Sequence, residues 1–288
     1  MHHPHHRVLR RIFAATVTLA LAVAVGVWFQ HAVSKPNMMG FDPQEMGRLE
    51  SAMWRRYYER HWPQLACQTM EGACGQYRFS WWDGSLLSLH AARAALFFRK
   101  KTDDPRCLPE LDRYYAIISS ATGQKFDVRA AAALELQWWK ERRRQVAPKD
   151  YARTIAQVTA LVYGVPEETV LPAARMRADA MAYRDARWDG KMTEAEWQEI
   201  ARQLMLAYAS LKEAVTNAGC GEESEAKGAD GDFIQPSEVA RKQHAQVISE
   251  HSQAQCRFGC PEAFTTKLWQ AEAIHQFLDD ISIPARPL

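Results

Sequence analysis

Twelve residues, from Asp185 to Glu196, have the spacing of the calcium-binding loop of an EF-hand. The oxygen ligands of such a loop at positions 1, 5, 9 and 12 would be Asp185, Asp189, Thr193 and Glu196. Gly190 stands at position 6, where the loop turns sharply, but position 3 is Arg187, whose cation removes a ligand and repels Ca²⁺. The alternative interpretation is a turn between two helices, with a capping box at Thr193 and Glu196.

A second candidate metal site is the pair Glu272 and His275, which a helix would place on one face. Di-iron bundles use two such Glu-x-x-His pairs and two further carboxylates, and no other histidine of this chain follows a glutamate at that spacing. His244 or His251 could complete a partial site. The alternative is that these residues form the solvated faces of a C-terminal helical hairpin.

Motifs for nucleophilic or phosphate chemistry are absent from the sequence. There is no Gly-x-Ser-x-Gly elbow and no glycine-rich phosphate loop. Glu135 lies close to Trp138 and Trp139, which suggests a carboxylic acid with a raised pKa, but this spacing is also typical of a helix boundary position. We therefore assign no catalytic residue and no cofactor.

The chain contains six cysteines, an even number that is typical of disulfides in an exported protein. Cys67 and Cys74 flank a short polar segment and could close it as a loop. Cys256 and Cys260 bracket three residues, and Cys220 could pair with either of them. No Cys-x-x-Cys pair is present, so the pattern does not favour zinc.

Ile12 to Phe29 is a run of 18 uncharged residues that follows three arginines. As a helix it would extend roughly 27 Å, close to the thickness of a bilayer's hydrocarbon core. Basic residues favour the cytoplasmic side, so we predict a cytoplasmic tail at 1–11, a transmembrane anchor at 12–33, and the rest of the chain outside the cytoplasm. The alternative is a cleaved signal peptide and a secreted protein.

The rest of the chain carries repeated helix-start and helix-end signals and no sustained strand pattern. Asp42 and Asp127 are N-caps, Gly123 and Gly164 end helices, and a helix that ends near 63–66 precedes a loop with the two early cysteines. The predicted class is all-α. A helical bundle or irregular helical array at 34–218 precedes a flexible linker at 219–235 and a helical hairpin with a tail at 236–288.

Charge narrows the choice of partners. Three of the 36 basic residues precede the anchor, which leaves 33 against 34 acidic residues in the exported part, so nucleic-acid binding has no support.

Six aromatic residues could form core or a partly exposed binding face; these are Trp54, Tyr57, Tyr58, Trp62, Trp81 and Trp82.

Three stretches, at 53–62, 135–143 and 159–170, resemble uncharacterised bacterial proteins that have one N-terminal hydrophobic segment and a helical body. The resemblance covers roughly Leu49 to Val215 and implies no activity, ligand or catalytic residue. It places the anchor in a bacterial inner membrane.

The first hypothesis is a structural or protein-interaction subunit of an envelope complex. A metal-dependent enzyme or sensor that uses 185–196 or Glu272 and His275 is the second. The third is a ligand-binding helical module, whose mark would be a cavity lined by Trp and Tyr with a few polar groups.

Overall fold

The structure, a computed structural model, describes residues 34–187 and 192–224, together with a few positions between 13 and 26. The described residues contain helices and no strands, which confirms the all-α class. The α-helices are α1 (Pro43–Glu59), α2 (Trp62–Met70), α3 (Trp81–Lys100), α4 (Cys107–Thr122), α5 (Val128–Arg143), α6 (Pro148–Tyr163), α7 (Glu167–Asp185) and α8 (Glu194–Ser224), and a π-helix covers Glu71–Gln76.

The N- and C-terminal predictions fall mostly outside this part of the chain. Within the described residues, no helix combines the length and apolar character needed to cross a membrane. The anchor at 12–33 is described only at scattered positions, and the hairpin at 236–288 lies outside the described residues, so both stay predictions. Helix α8 continues to Ser224, past residue 219, where the linker was predicted to begin.

Helix ends follow the predicted capping signals. Asp42 Oδ1 accepts a hydrogen bond from the Glu45 amide, and Asp127 Oδ1 accepts one from the Ala130 amide, both at 2.9 Å. Gly123 and Gly164 end α4 and α6 with φ of 73° and 67°, the left-handed conformation that glycine adopts without steric cost.

The segment with the two early cysteines is helical, so the predicted loop is wrong. Helix α2 passes directly into the π-helix, and Cys67 and Cys74 are present as thiols without the predicted disulfide. Seven helical residues separate two Cα atoms by about 10 Å, whereas a disulfide needs about 7 Å or less. The predicted Cys67–Cys74 pairing assumed a loop, whereas the predicted pairings through Cys220, Cys256 and Cys260 involve side chains outside the described residues.

Pro166 and Pro172 in the sequence predict a short turn of helix followed by a longer helix to about Arg187, but the single helix α7 covers Glu167–Asp185. Pro172 lies inside α7, where it cannot donate to the carbonyl of Glu168. Both residues are exposed. Water can satisfy this carbonyl, which explains why the helix continues through the proline.

The order of helix contacts closes into a ring. Each helix packs against the next one in the chain, and α8 also packs against α1. The α1–α8 contact is very close at Gly47, where an added Cβ would lie 2.4 Å from the Met205 amide nitrogen. Glycine at this position is therefore what lets α1 and α8 meet.

Candidate functional site

A cavity of about 290 Å³ lies within the ring of helices. Five of its lining residues are tyrosines, and its two charged lining residues are Glu135 and Arg177. Helices α3 to α8 all contribute to the wall, with Ala91, Leu111, Trp139, Val158, Ala174 and Leu211 among the apolar lining residues. Ligand sites in proteins have this mixture of apolar wall and few polar groups, and the volume is near the lower end of their usual range of roughly 300–1,000 Å³.

The five tyrosines keep their hydroxyl protons because they are buried. Burial raises the pKa of Tyr114 to about 12, and the nearby negative charge of Glu135 adds to the effect. Burial also holds the pKa values of Tyr77, Tyr115, Tyr163 and Tyr208 well above their usual range. The Tyr163 hydroxyl donates to the Met38 carbonyl at 3.3 Å. The wall therefore offers neutral hydroxyl groups and aromatic ring surfaces.

Glu135 is held in place by two neutral donors. Its Oε1 accepts from the Trp139 indole nitrogen at 2.9 Å, and its Oε2 accepts from the Tyr115 hydroxyl at 3.0 Å. An ionised carboxylate can accept about four hydrogen bonds, so roughly half of its capacity is used. Glu135 is positioned by these bonds, but none of them brings a positive charge to it.

Arg177 enters the cavity from α7 and is paired on one side only. Its Nε and Nη2 both donate to Glu50 Oε1, at 2.9 and 2.6 Å. The carboxylate of Glu50 is nearly completely buried, whereas 29 % of the Arg177 side chain is accessible, and Arg177 lines the cavity. Within residues 34–187 and 192–224, no hydrogen-bond acceptor contacts its Nη1.

Glu135 and Arg177 interact across the cavity without direct contact. The charge of Glu135 is among the groups that raise the pKa of Arg177, although burial opposes this and Glu50 contributes more. The two side chains form no salt bridge within the described part of the chain. One negative and one positive group therefore face the same small, tyrosine-lined space with bonding capacity left over.

The predicted EF-hand-like loop has its carboxylates engaged by arginines. Asp185 accepts from Arg142 Nε and Nη2 at 2.9 and 2.8 Å. Glu196 Oε1 accepts from Arg187 Nε at 3.1 Å, and its Oε2 accepts from the amide and hydroxyl of Thr193. The capping box is therefore formed, and Asp189 and Gly190 lie outside the described residues.

The other predicted site residues are either outside the described part or do not converge. Glu272, His275, Cys256 and Cys260 lie outside it, as does the side chain of Cys220. In the part of the chain that is described, no three His, Cys, Asp or Glu side chains are placed to hold a metal ion. Burial raises the pKa of Cys74 to about 11, so its thiol is a poor nucleophile at neutral pH.

A second concavity, of about 390 Å³, lies between α4 and α5 and is lined by Leu108, Leu136, Lys140 and Glu141 among others. Among its polar lining residues, Gln137, Lys140 and Glu141 have side-chain partners, and Arg144 is the exception within the described residues. Glu141 accepts from Thr154 and Gln137, and Lys140 pairs with Asp103 at 2.9 Å. It is larger than the central cavity but offers no convergent unpaired groups.

Sequence reasoning identified one half of the site and missed the other. The sequence indicates Glu135 and Trp139 as neighbours on a predicted helix, but it does not indicate Arg177 or the five cavity tyrosines as site residues. Arg177 lies among alanines in α7, with Ala173, Ala174 and Ala178 buried. An arginine within a small, apolar helix face is the one local signal that could have indicated it.

No protein-family model, curated protein or solved structure matches this chain.

Proposed function

We propose that this chain is a ligand-binding helical domain that holds a small organic molecule in the cavity of its helix ring. The observation that carries the proposal is the cavity wall, which combines aromatic surface with two charged groups that retain bonding capacity. A packed helical core has few voids larger than a water molecule, and buried polar groups are normally satisfied. A cavity of this size with such groups is what a binding site requires.

The test places a large side chain in the cavity at one position and uses the same substitution at the next residue of the chain as its control. Ala91 lines the cavity from α3, and Ala92, the next residue, is exposed. We expect native mass spectrometry of the full chain, purified from its own cells, to detect a bound small molecule in the wild type and in Ala92→Phe. Ala91→Phe should lose it. Absence of a bound molecule from the wild type, or its retention in Ala91→Phe, would count against the proposal.

A role as an interaction subunit, which the sequence predicts, is the second candidate. It is favoured by an exposed apolar stripe on α3, where Trp82 and Leu89 are 51 % and 45 % exposed and lie two helical turns apart. Tryptophan is enriched at protein interfaces. We propose a protein partner of the envelope, bound through this stripe. A partner that co-purifies with the wild type should be lost with Trp82→Ser and kept with Ala92→Ser.

The cellular location remains a proposal based on the sequence. The apolar run at 12–29 and the three preceding arginines support an inner-membrane anchor at 12–33 with the helix ring outside the cytoplasm. The test is protease accessibility of residues 34–224 in intact spheroplasts. Full protection of the domain in spheroplasts, with digestion only after lysis, would contradict this location.

A further inference from the structure

We propose that the ligand of the central cavity is a small zwitterion, a molecule that carries both a carboxylate and a protonated amine, as an amino acid does. The inference rests on the proposed function and specifies the class of ligand. Its basis is the placement of Arg177 and Glu135 as the two charged residues of the wall.

The positive side of the site is suited to a carboxylate. Because Nε and Nη2 of Arg177 are committed to Glu50 Oε1, the guanidinium is fixed in orientation, and its Nη1 has no acceptor among residues 34–187 and 192–224. Arg177 is one of the two charged residues that line the cavity. A guanidinium nitrogen gives charge-assisted hydrogen bonds to carboxylate or phosphate oxygens. A phosphate is disfavoured here, because its second negative charge would be repelled by Glu135 and by the buried Glu50.

The negative side of the site is suited to a protonated amine. Glu135 is held by the neutral donors Trp139 and Tyr115 and has acceptor capacity left. An ammonium group would supply both the hydrogen bonds and the compensating charge. The surrounding tyrosine and Trp139 rings add to this preference, because aromatic faces attract cations.

Only a ligand with both charges satisfies both groups. A carboxylic acid would leave Glu135 without a counter-charge, and an amine would leave Nη1 of Arg177 without an acceptor. A ligand that displaces water from a charged group without replacing its hydrogen bonds loses affinity, which is how polar sites discriminate against analogues that lack one group. A cavity of about 290 Å³ limits the ligand to a small molecule.

The experiment uses isothermal titration of the full chain in detergent. The probes are the twenty protein amino acids and, for the tightest of them, the matching deaminated acid and decarboxylated amine. We expect at least one amino acid to bind, and both analogues to bind at least tenfold more weakly. An analogue that binds as tightly as its amino acid would overturn the inference, and so would a panel without any binder.

Variants of the chain test whether Glu135 binds the amine of the ligand and Arg177 binds its carboxylate. Glu135→Gln keeps the shape of the side chain and should weaken amino-acid binding at least tenfold without further weakening the deaminated acid. The double variant Glu50→Gln with Arg177→Gln removes both charges of the buried pair together, so that neither is left unpaired and folding is protected. It should weaken the binding of both the amino acid and the deaminated acid. Glu168→Gln, exposed on the same helix as Arg177, is the control. Unchanged amino-acid binding in Glu135→Gln would overturn the assignment.

The proposed function and this inference fail in different ways. If the wild type carries a small molecule that Ala91→Phe excludes, but that molecule is neutral or singly charged, the cavity is a binding site and the zwitterion inference is wrong. If the wild type carries none and no amino acid binds, both are wrong.

Discussion

Two regions of the ring place carboxylates beside arginines, and they differ in how fully the charged groups are paired with groups of opposite charge. At the turn after α7, Asp185 is bound by Arg142 through two hydrogen bonds, and Glu196 is bound by Arg187 and by the capping hydroxyl of Thr193. In the cavity, Glu135 is bound only by neutral donors and Arg177 is paired on one side.

The difference separates a structural network from the site that we propose to bind a ligand. A carboxylate whose oxygens are occupied by arginines joins helices together, but it has little capacity left for a metal ion or a ligand. A charged group that is positioned by neutral neighbours and lines a cavity is not neutralised by them, so its charge is available to pair with a ligand. The sequence pattern offers the turn as a candidate site, whereas the hydrogen bonds leave unused bonding capacity in the cavity.

The largest expected effect on stability comes from removing the arginine of the buried Glu50–Arg177 salt bridge. Arg177→Gln leaves the carboxylate of Glu50 buried without its counter-ion, which we expect to lower the free energy of unfolding by about 3 kcal/mol or more. Arg187→Gln at the turn, where the arginine is 36 % exposed, should cost about 1 kcal/mol or less. Urea unfolding measures both. Equal losses would remove the distinction between the two regions.

The contact between α1 and α8, which closes the ring, is expected to show the next largest loss of stability on substitution. Gly47→Ala would push a methyl group against the backbone of Met205, and overpacking of this kind costs about 1–3 kcal/mol. Gly72→Ala is the control, because no atom lies within 4 Å of a Cβ at that position. We also expect Gly47→Ala to weaken ligand binding, since α8 supplies Tyr208 to the cavity wall. A loss of stability similar to that of Gly72→Ala would show that the close contact is unimportant.

Alkaline pH should act on the cavity through its tyrosines. The pKa of Tyr114 is about 12 in the folded chain against 10 for an ordinary tyrosine. Above pH 10 the unfolded chain releases a proton that the folded chain keeps, so this contribution to stability is complete below pH 10 and is lost as the pH rises towards 12. In Tyr114→Phe, unfolding midpoints should fall less steeply over this interval than in the wild type. Identical slopes would contradict the assigned burial.

The smallest effect is expected from calcium. Asp185 and Glu196 are engaged by arginines, so neither CaCl₂ nor EDTA should shift the thermal unfolding midpoint. A calcium-dependent rise of the midpoint that Glu196→Gln abolishes would restore the EF-hand-like interpretation of 185–196.

Local features of the fold could be predicted from the sequence, and the site largely could not. The caps at Asp42 and Asp127 and the terminal Gly123 and Gly164 depend on residues close in the chain, and all four are confirmed. The pairing of Glu50 with Arg177 joins residues 127 positions apart, and nothing in either local pattern specifies the other. The loop prediction at the early cysteines is wrong because the polar residues there do not interrupt the helix, which continues through them as a π-helix.

The central claim is that the cavity holds an organic ligand between Arg177 and Glu135. The most direct measurement is an experimental structure of the chain purified from its own cells, without added ligands. We predict continuous density for a non-water molecule that contacts both Arg177 Nη1 and a carboxylate oxygen of Glu135. A cavity that contains only water, or one that has collapsed so that Arg177 and Glu135 pair directly, would contradict the account.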